Sequence, residues 1–272
     1  MKEQHLIVLD LDGTLLKNDK TISPRSKSVL NGLMNQGHQV MIATGRPFRS
    51  SEMYYHEAGL NTPIVNFNGA FVHHPLDTAW GSYHSPLDIK VSKDIVEALN
   101  GFKFHNIIAE VRDDVYFHYH DEKMMDIFNM GKPRITTGDL RNFLEEPPTS
   151  MLIHTEEAYV HAIRDHLQEV HAEVIEHRRW ADPFHVIEIV KKGLNKAVGI
   201  QRVAEYLNIP RERIIAFGDE DNDLEMIEYA GCGVAMGNGI GGLKGIANEI
   251  TLSNEEDGIA VFLEEFFKVK SA

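Results

Sequence analysis

Two aspartates one residue apart close a run of four apolar residues, Leu6 to Leu9 leading into Asp10-Leu11-Asp12-Gly13-Thr14. Two other apolar runs end in similar chemistry. Val40–Ala43 stops at Thr44-Gly45-Arg46, and Ile214–Phe217 stops at Gly218-Asp219-Glu220-Asp221-Asn222-Asp223. Ligands of open parallel sheets gather beyond the carboxyl ends of the strands, so acidic and hydroxyl groups recurring there define a candidate crevice. Asp10, Asp12, Asp219 and Asp223 converging on it would raise one another's pKa values and repel unless a cation sat among them. An all-oxygen donor set with room for waters and a phosphate suits Mg²⁺. Such an ion would offset the charge of an incoming phosphoryl group. A lysine should complete the anion site, and "KKGLNKAVGI" offers Lys191, Lys192 and Lys196. Lys196 falls at the start of a helix, where backbone N–H groups add to its field.

Other chemistries fit less well. A calcium loop counted from Asp10 needs glycine at position six and glutamate at position twelve. Those positions hold Leu15 and Thr21. A plain turn accounts for Asp-x-Asp-Gly alone, but not for the three strand ends together. Gly237-Asn238-Gly239-Ile240-Gly241-Gly242 satisfies G-x-G-x-x-G, yet too little chain follows it for the second mononucleotide half of a dinucleotide fold. It reads as a tight loop at the rim of the site. The 15 histidines show no zinc-protease or Cys/His spacing, although His118 and His120 sit at i, i+2 on a strand. Cys232, between Gly231 and Gly233, reads as a small packed residue and not as a nucleophile.

The elements that would position these groups alternate. In "ISPRSKSVLNGLMNQG", Ser23 can cap a helix, Pro24 suits its first position and Gly37 suits the end. A strand at Val40–Ala43, a helix from about Phe48 to Ala58 and a strand at Ile64–Asn66 follow, the pattern of a parallel sheet with helices on its faces. After Asn68-Gly69 the pattern changes, and 71–90 carries no helical period. Strands near Ile107–Val111, Val115–Tyr119, Met151–His154, Val174–Ile175 and Val186–Ile189 are expected next. Helices near Ser92–Leu99, Glu122–Asn129 and Glu157–Val170 interleave with them. From Leu194 the alternation resumes. The expected fold is α/β, a Rossmann-like parallel-sheet core with helices on both faces plus an inserted α+β domain. Residues 1–85 and 189–272 are assigned to the core and 86–188 to the insert.

The 272-residue length suits two modest domains. A formal charge of −14 argues against nucleic acid or an anionic membrane as partner. One cysteine excludes an internal disulfide and fits a reducing compartment. No apolar run reaches signal-peptide or membrane-spanning length, so a cytoplasmic monomer or homodimer is expected.

Together, Asp10-Leu11-Asp12-Gly13-Thr14, Ala43-Thr44-Gly45-Arg46, Lys196 and Gly218-Asp219-x-x-Asn222-Asp223 resemble the four motifs of the haloacid dehalogenase-like hydrolases in order and spacing. The late "AMGNG" and "SNEEDGI", the early Asn68-Gly69-Ala70 and the central insert make the chain similar to Cof-type phosphatases with a C2B cap. The resemblance implies that Asp10 takes the phosphoryl group as an aspartyl-phosphate and that Asp12 protonates the leaving oxygen and then activates water. It also implies that Thr44, with Gly45, and Lys196 hold phosphate oxygens, with Asn222 facing the phosphate. Asp219, Asp10 and the Asp12 main-chain carbonyl would bind Mg²⁺, with Asp223 supporting that metal shell. Asp12 would need a proton in the substrate complex, a state that so acidic a crevice favours. Asn195 stands where serine or threonine is frequent, and Gly239 where alanine is usual. The cap should close over the crevice and supply leaving-group contacts. Arg178, Arg179 and Trp180, with Asn68, are the candidates for substrate selectivity, the alternative for the segment being a solvated loop with Trp180 packed inside. The expected substrate is a small phosphorylated metabolite, a sugar phosphate or similar ester. A sugar phosphomutase and a non-catalytic phospho-ligand sensor are the alternatives.

Overall fold

The computed structural model describes residues 3–171, 175–179 and 185–269, the 175–179 strand by its backbone. The chain divides into two compact units, Met1–Arg46, Ser51–Ser82 and Asn195–Ala272 forming one, Pro47–Ser50 and Tyr83–Leu194 the other.

In chain order, the first stretch holds β1 (Leu6–Leu9), α1 (Pro24–Asn35), β2 (Gln39–Ile42), α2 (Phe48–Glu57), β3 (Ile64–Asn66), β4 (Phe71–His73) and β5 (Ser82–His84). The insert follows with α3 (Ile89–Ala98), β6 (Asn106–Val111), β7 (Asp114–Phe117), α4 (Glu122–Phe128), β8 (Ile135–Thr137), α5 (Leu140–Phe143), β9 (Ser150–His154), α6 (Glu157–His171), β10 (Ile175–Arg179) and β11 (Val186–Lys191). The chain ends with α7 (Lys196–Leu207), β12 (Ile214–Gly218), α8 (Leu224–Tyr229), β13 (Cys232–Ala235), α9 (Gly241–Ile246), β14 (Glu249–Ile250) and α10 (Gly258–Phe267).

The first unit is built on a parallel five-stranded sheet, ordered β14-β13-β12-β1-β2. Its interior strand β1, between β12 and β2, is apolar at every position because both faces are covered. Leu6 and Val8 pack with Ile200 and Val203 of α7 and Met226 of α8. Alternation turns Ile7 and Leu9 to the other face, where the Phe217 ring meets Phe262 of α10 edge-on at 5.5 Å. Helix α1 starts where expected. Ser23 accepts from the Ser26 N–H and Pro24 occupies the first turn, while Val29, Leu30 and Leu33 are buried.

The second unit carries a six-stranded sheet, ordered β10-β11-β9-β6-β7-β8, antiparallel except for the β7/β8 pair. Helices α3 and α6 cover one face, placing Ile95, Val96, Ile163 and Leu167 against Ile107, Ala109, Ile153 and Ile187. The alternate positions Ile108, Leu152 and Val186 form a smaller core with Met124 and Phe128 of α4. Four elements were not expected from the sequence: β4, β5, β8 and α5. Each is only three or four residues long, too short to carry a period. Strand β10 extends through Glu176, His177, Arg178 and Arg179, which show no apolar alternation. They are held as a strand by pairing along β11.

Among the described residues, no helix is long and apolar enough to cross a membrane.

Candidate active site

The chain leaves β1 through Asp10, whose N–H donates to the Phe217 carbonyl at 3.1 Å. The turn closes as the Leu15 N–H reaches the Asp10 carbonyl at 3.2 Å. Gly13 holds φ +75°, and a Cβ there would collide with the Asp219 carboxylate. Glycine is therefore required both by conformation and by the close approach of the two strand ends. Thr14 completes the junction, its hydroxyl donating to Asp219 Oδ1 at 2.8 Å.

Asp10, Asp219 and Asp223 are all buried, and an oxygen from each lies within 4.8 Å of the others. Lys196, the first residue of α7 and fully buried, donates to Asp10 Oδ1 and to Asp223 Oδ1, each at 2.6 Å. Asn195 caps that helix, its side chain accepting from the Val198 N–H at 3.1 Å. The asparagine thus does the capping work of the serine or threonine expected there. Asp223 Oδ2 accepts from the Asp219 and Glu220 N–H groups at 2.9 and 3.1 Å.

Three carboxylates facing one ammonium leave an excess of negative charge, and the carboxyls respond to it. Burial pushes Asp10 well above the usual carboxylate range against the pull of Lys196, and the charges of Asp223 and Asp219 push it further. Asp219 is pushed up to about 7 by burial and by Asp223, against the Thr14 hydrogen bond and Lys196. Burial works against the charge on Lys196, but the two carboxylates it bridges outweigh that and raise its pKa. A compact all-oxygen donor set with uncompensated negative charge fits a hard divalent cation.

Asp12 departs from the expectation. Its side chain stands apart from the other three carboxylates, among cations. Arg46 Nε donates to Oδ2 and Arg46 Nη2 to Oδ1, both at 2.6 Å, and Lys20 Nζ donates to Oδ1 at 2.7 Å. Burial would raise its pKa, but the Arg46 guanidinium and the Lys20 ammonium outweigh that and hold the carboxyl at about 2. The crevice therefore does not favour a proton on Asp12 at rest, because Asp12 faces Arg46 and Lys20 whereas Asp10 shares its surroundings with Asp219 and Asp223.

Thr44 is buried, its N–H donating to the Val65 carbonyl and its hydroxyl accepting from the Arg46 N–H at 3.1 Å. Asn222 Nδ2 donates to Asn68 Oδ1 at 3.0 Å, and a Cβ on Gly45 would lie 3.2 Å from the Asn68 amide and 3.6 Å from that of Asn222. Asn68 itself sits at φ 51°, a left-handed conformation that asparagine tolerates. So Gly45, Asn68 and Asn222 gather in one place, next to Thr44. Arg178 and Arg179 lie on β10, with side chains outside the described residues, and Trp180 falls outside them altogether.

Sequence reasoning assigned no role to Arg46 or Lys20, nor to two asparagines that brace the turn after β1. Asn238 donates to the Gly13 carbonyl at 2.8 Å, and Asn254 Nδ2 donates to the Leu16 carbonyl at 2.9 Å. The Asn254 N–H donates to Asn238 Oδ1 at 3.0 Å, linking the braces. The G-x-G-x-x-G segment is part of the same frame, since the Ile240 N–H donates to the Asp219 carbonyl at 2.9 Å. Cys232 is half-buried, and burial pushes its thiol up, away from thiolate reactivity.

A parallel α/β core with aspartates at two strand ends, a buried lysine bridging them and a large insert defines a class of phosphoryl-transfer hydrolase. The chain belongs to the haloacid dehalogenase-like hydrolases, whose family profile matches residues 7–263, and within them to the Cof-type phosphatases. It is 61% identical over 265 residues to the 5-amino-6-(5-phospho-D-ribitylamino)uracil phosphatase YitU of Bacillus subtilis, covering 97% of this chain and 98% of that protein. It is 28% identical to the pyridoxal phosphate phosphatase YbhA of Escherichia coli, over 95% of this chain and 97% of that one. A solved haloacid dehalogenase-like hydrolase from Bacteroides thetaiotaomicron superposes with a TM-score of 0.84 at 29% identity, covering 97% of this chain and 100% of that one. The protein is a phosphoric monoester hydrolase.

Proposed function

We propose that this chain is a cytoplasmic, Mg²⁺-dependent phosphatase working through an aspartyl-phosphate on Asp10, with 5-amino-6-(5-phospho-D-ribitylamino)uracil as its substrate. The observation that carries the chemistry is the buried Asp10–Lys196–Asp223 bridge with Asp219 beside it. The substrate rests on the 61% identity to a phosphatase named for that compound. The earlier expectation of a sugar phosphate or similar ester accommodates it, since the phosphate sits on a ribityl chain.

An Asp10 carboxylate oxygen attacks phosphorus while the ester P–O bond breaks, and Lys196 holds Asp10 aligned for that attack. Thr44, Gly45, Lys196 and Asn222 surround the phosphate. Asp12, carrying a proton in the substrate complex, gives it to the leaving alcohol oxygen and then takes one from the water that hydrolyses the acyl phosphate. Asp10, Asp219, the Asp12 main-chain carbonyl and, directly or through a water, Asp223 would hold the Mg²⁺, which supplies charge compensation for the phosphoryl oxygens when bound. We assign selectivity among esters to Asn68 and to Arg178, Arg179 and Trp180. Unchanged kcat/KM in R178A and R179A would remove the two arginines from that assignment.

A phosphate-release screen with Mg²⁺ tests the reading. The panel contains the ribitylaminouracil phosphate, pyridoxal phosphate and hexose phosphates. The ribitylaminouracil phosphate should give the highest kcat/KM, and D10N should release no phosphate from any member. A hexose phosphate or pyridoxal phosphate turned over with higher kcat/KM would overturn the substrate assignment.

A further inference from the structure

The contacts of Asp12 define which of its atoms can move a proton. An ionised carboxylate offers about four lone-pair directions, two on each oxygen. Oδ1 has both taken, by Arg46 Nη2 at 2.6 Å and Lys20 Nζ at 2.7 Å. Oδ2 has one taken, by Arg46 Nε at 2.6 Å. Among the described residues, one direction on Oδ2 is left untaken, and the Asp12 side chain is 44% exposed.

Arg46 is itself built in. Its N–H donates to Thr44 Oγ1 at 3.1 Å, and its carbonyl accepts from Asn66 Nδ2 at 2.9 Å and from the Phe67 N–H at 3.3 Å. Its guanidinium lies 5.4 Å from the centre of the Tyr54 ring, and Tyr54 is buried. A planar fork fixed at the backbone and backed by an aromatic face sets the direction of the carboxylate it grips, which a flexible single-point cation does not. Lys20 reaches Oδ1 from the turn that precedes α1. The chain turns back on itself at the Leu16/Ile22 bridge, and Lys20 sits at φ 64° in that turn.

We propose that Arg46 is the positioning residue of the acid–base step, the fork that turns Asp12 so that Oδ2 alone exchanges the proton. This rests on the aspartyl-phosphate mechanism proposed above. In the first half-reaction the Oδ2–H bond breaks and its proton goes to the leaving alcohol oxygen as the ester P–O bond opens. In the second, a water proton goes to Oδ2 as the water oxygen bonds phosphorus and the Asp10–phosphorus link breaks. Lys20 holds Oδ1 out of the exchange.

The role predicts dependence on the leaving group. An alkyl alcohol needs the proton to depart, whereas p-nitrophenolate leaves without one. Because kcat/KM reports only the steps through phosphorylation of Asp10, it isolates the acid half of the cycle. In the test, D12N, R46A and R46K are assayed for kcat/KM on 5-amino-6-(5-phospho-D-ribitylamino)uracil and on p-nitrophenyl phosphate. A general acid contributes about 10²–10⁴-fold, so D12N and R46A should each lose about 100-fold or more on the alkyl ester and less than about fivefold on the aryl ester. R46K, which keeps a cation without the fork, should recover part of the alkyl loss, and it guards against a folding failure in R46A. Equal losses on both esters in both Arg46 variants, or no loss in either, with D12N selective, would overturn the positioning role alone. D12N that treats the two esters alike would overturn the acid role of Asp12 and this proposal with it.

Discussion

Lys196 Nζ donates to Asp223 Oδ1 at 2.6 Å with both side chains fully buried, and the same nitrogen reaches Asp10 Oδ1 at 2.6 Å. One ammonium thus ties the end of β1 to the segment after β12. Lys196→Met should leave two carboxylates buried without their cation, and breaking such a pair costs about 3–5 kcal/mol. The urea midpoint in EDTA should fall accordingly, and turnover should be lost with it. A variant as stable as the wild type in EDTA would contradict the bridge.

Metal and protons should compete at this centre. Asp219 is raised from 3.8 to about 7 by burial and the neighbouring Asp223 charge. A raised folded pKa means that its contribution to stability is fully present below the unfolded value and is lost as pH rises through about 7. Metal ligands must be deprotonated, so the rise in Tm on adding Mg²⁺ should be larger near about pH 8 than near about pH 5.5. Taking the difference with and without Mg²⁺ at each pH cancels titrations elsewhere. An equal or larger rise at the acid end would contradict these ligands.

Gly13→Ala tests the close approach of the two strand ends. The new Cβ would strike the Asp219 carboxylate at a residue with φ +75°. We expect an activity loss of about 100-fold or more, since a misplacement near 1 Å has that cost, with a higher Mg²⁺ requirement. Gly37→Ala is the control, since it shares a positive φ of +95° but meets nothing within 4 Å. It should lose stability only, by about 1–2 kcal/mol.

The second unit has its own buried ion pair. Arg49 Nη2 donates to Glu110 Oε1, Ser150 supports the other carboxylate oxygen at 3.2 Å, and the Arg49 N–H reaches Asp113 Oδ1 at 2.8 Å. Burial raises the Glu110 pKa against the charge of Arg49. Arg49→Met should destabilise by about 3–5 kcal/mol, whereas R49M combined with E110M should return near the wild-type urea midpoint. A double variant no better than the single would show that packing, not the stranded carboxylate, sets the cost.

The sequence exposed the ends of β1 and β12 because apolar runs stopped there on acidic residues, and Lys196 because a helix began at it. It did not show where Asp12 points. That depends on Lys20 doubling back through the Leu16/Ile22 turn and on Arg46 being fixed by Asn66 and Phe67, contacts set by how the chain folds back and not by any local pattern. Asn238 and Asn254 stood in stretches that supported the family resemblance, yet their hydrogen bonds to the Gly13 and Leu16 carbonyls needed coordinates. The β8 strand and the extension of β10 beyond Ile175 escaped for a related reason. Edge strands of mixed polarity are defined by the strand they pair with and not by their own pattern.

On the proposed mechanism Asp10 carries the phosphoryl group through each turnover. Acid-quenching the wild-type enzyme during steady-state turnover of the ribitylaminouracil phosphate, then mapping the peptides by mass spectrometry, tests it directly. A phosphoryl group should be found on Asp10 in the wild type and none in D10N, which should also release no phosphate. Phosphate release by D10N at the wild-type rate would contradict it.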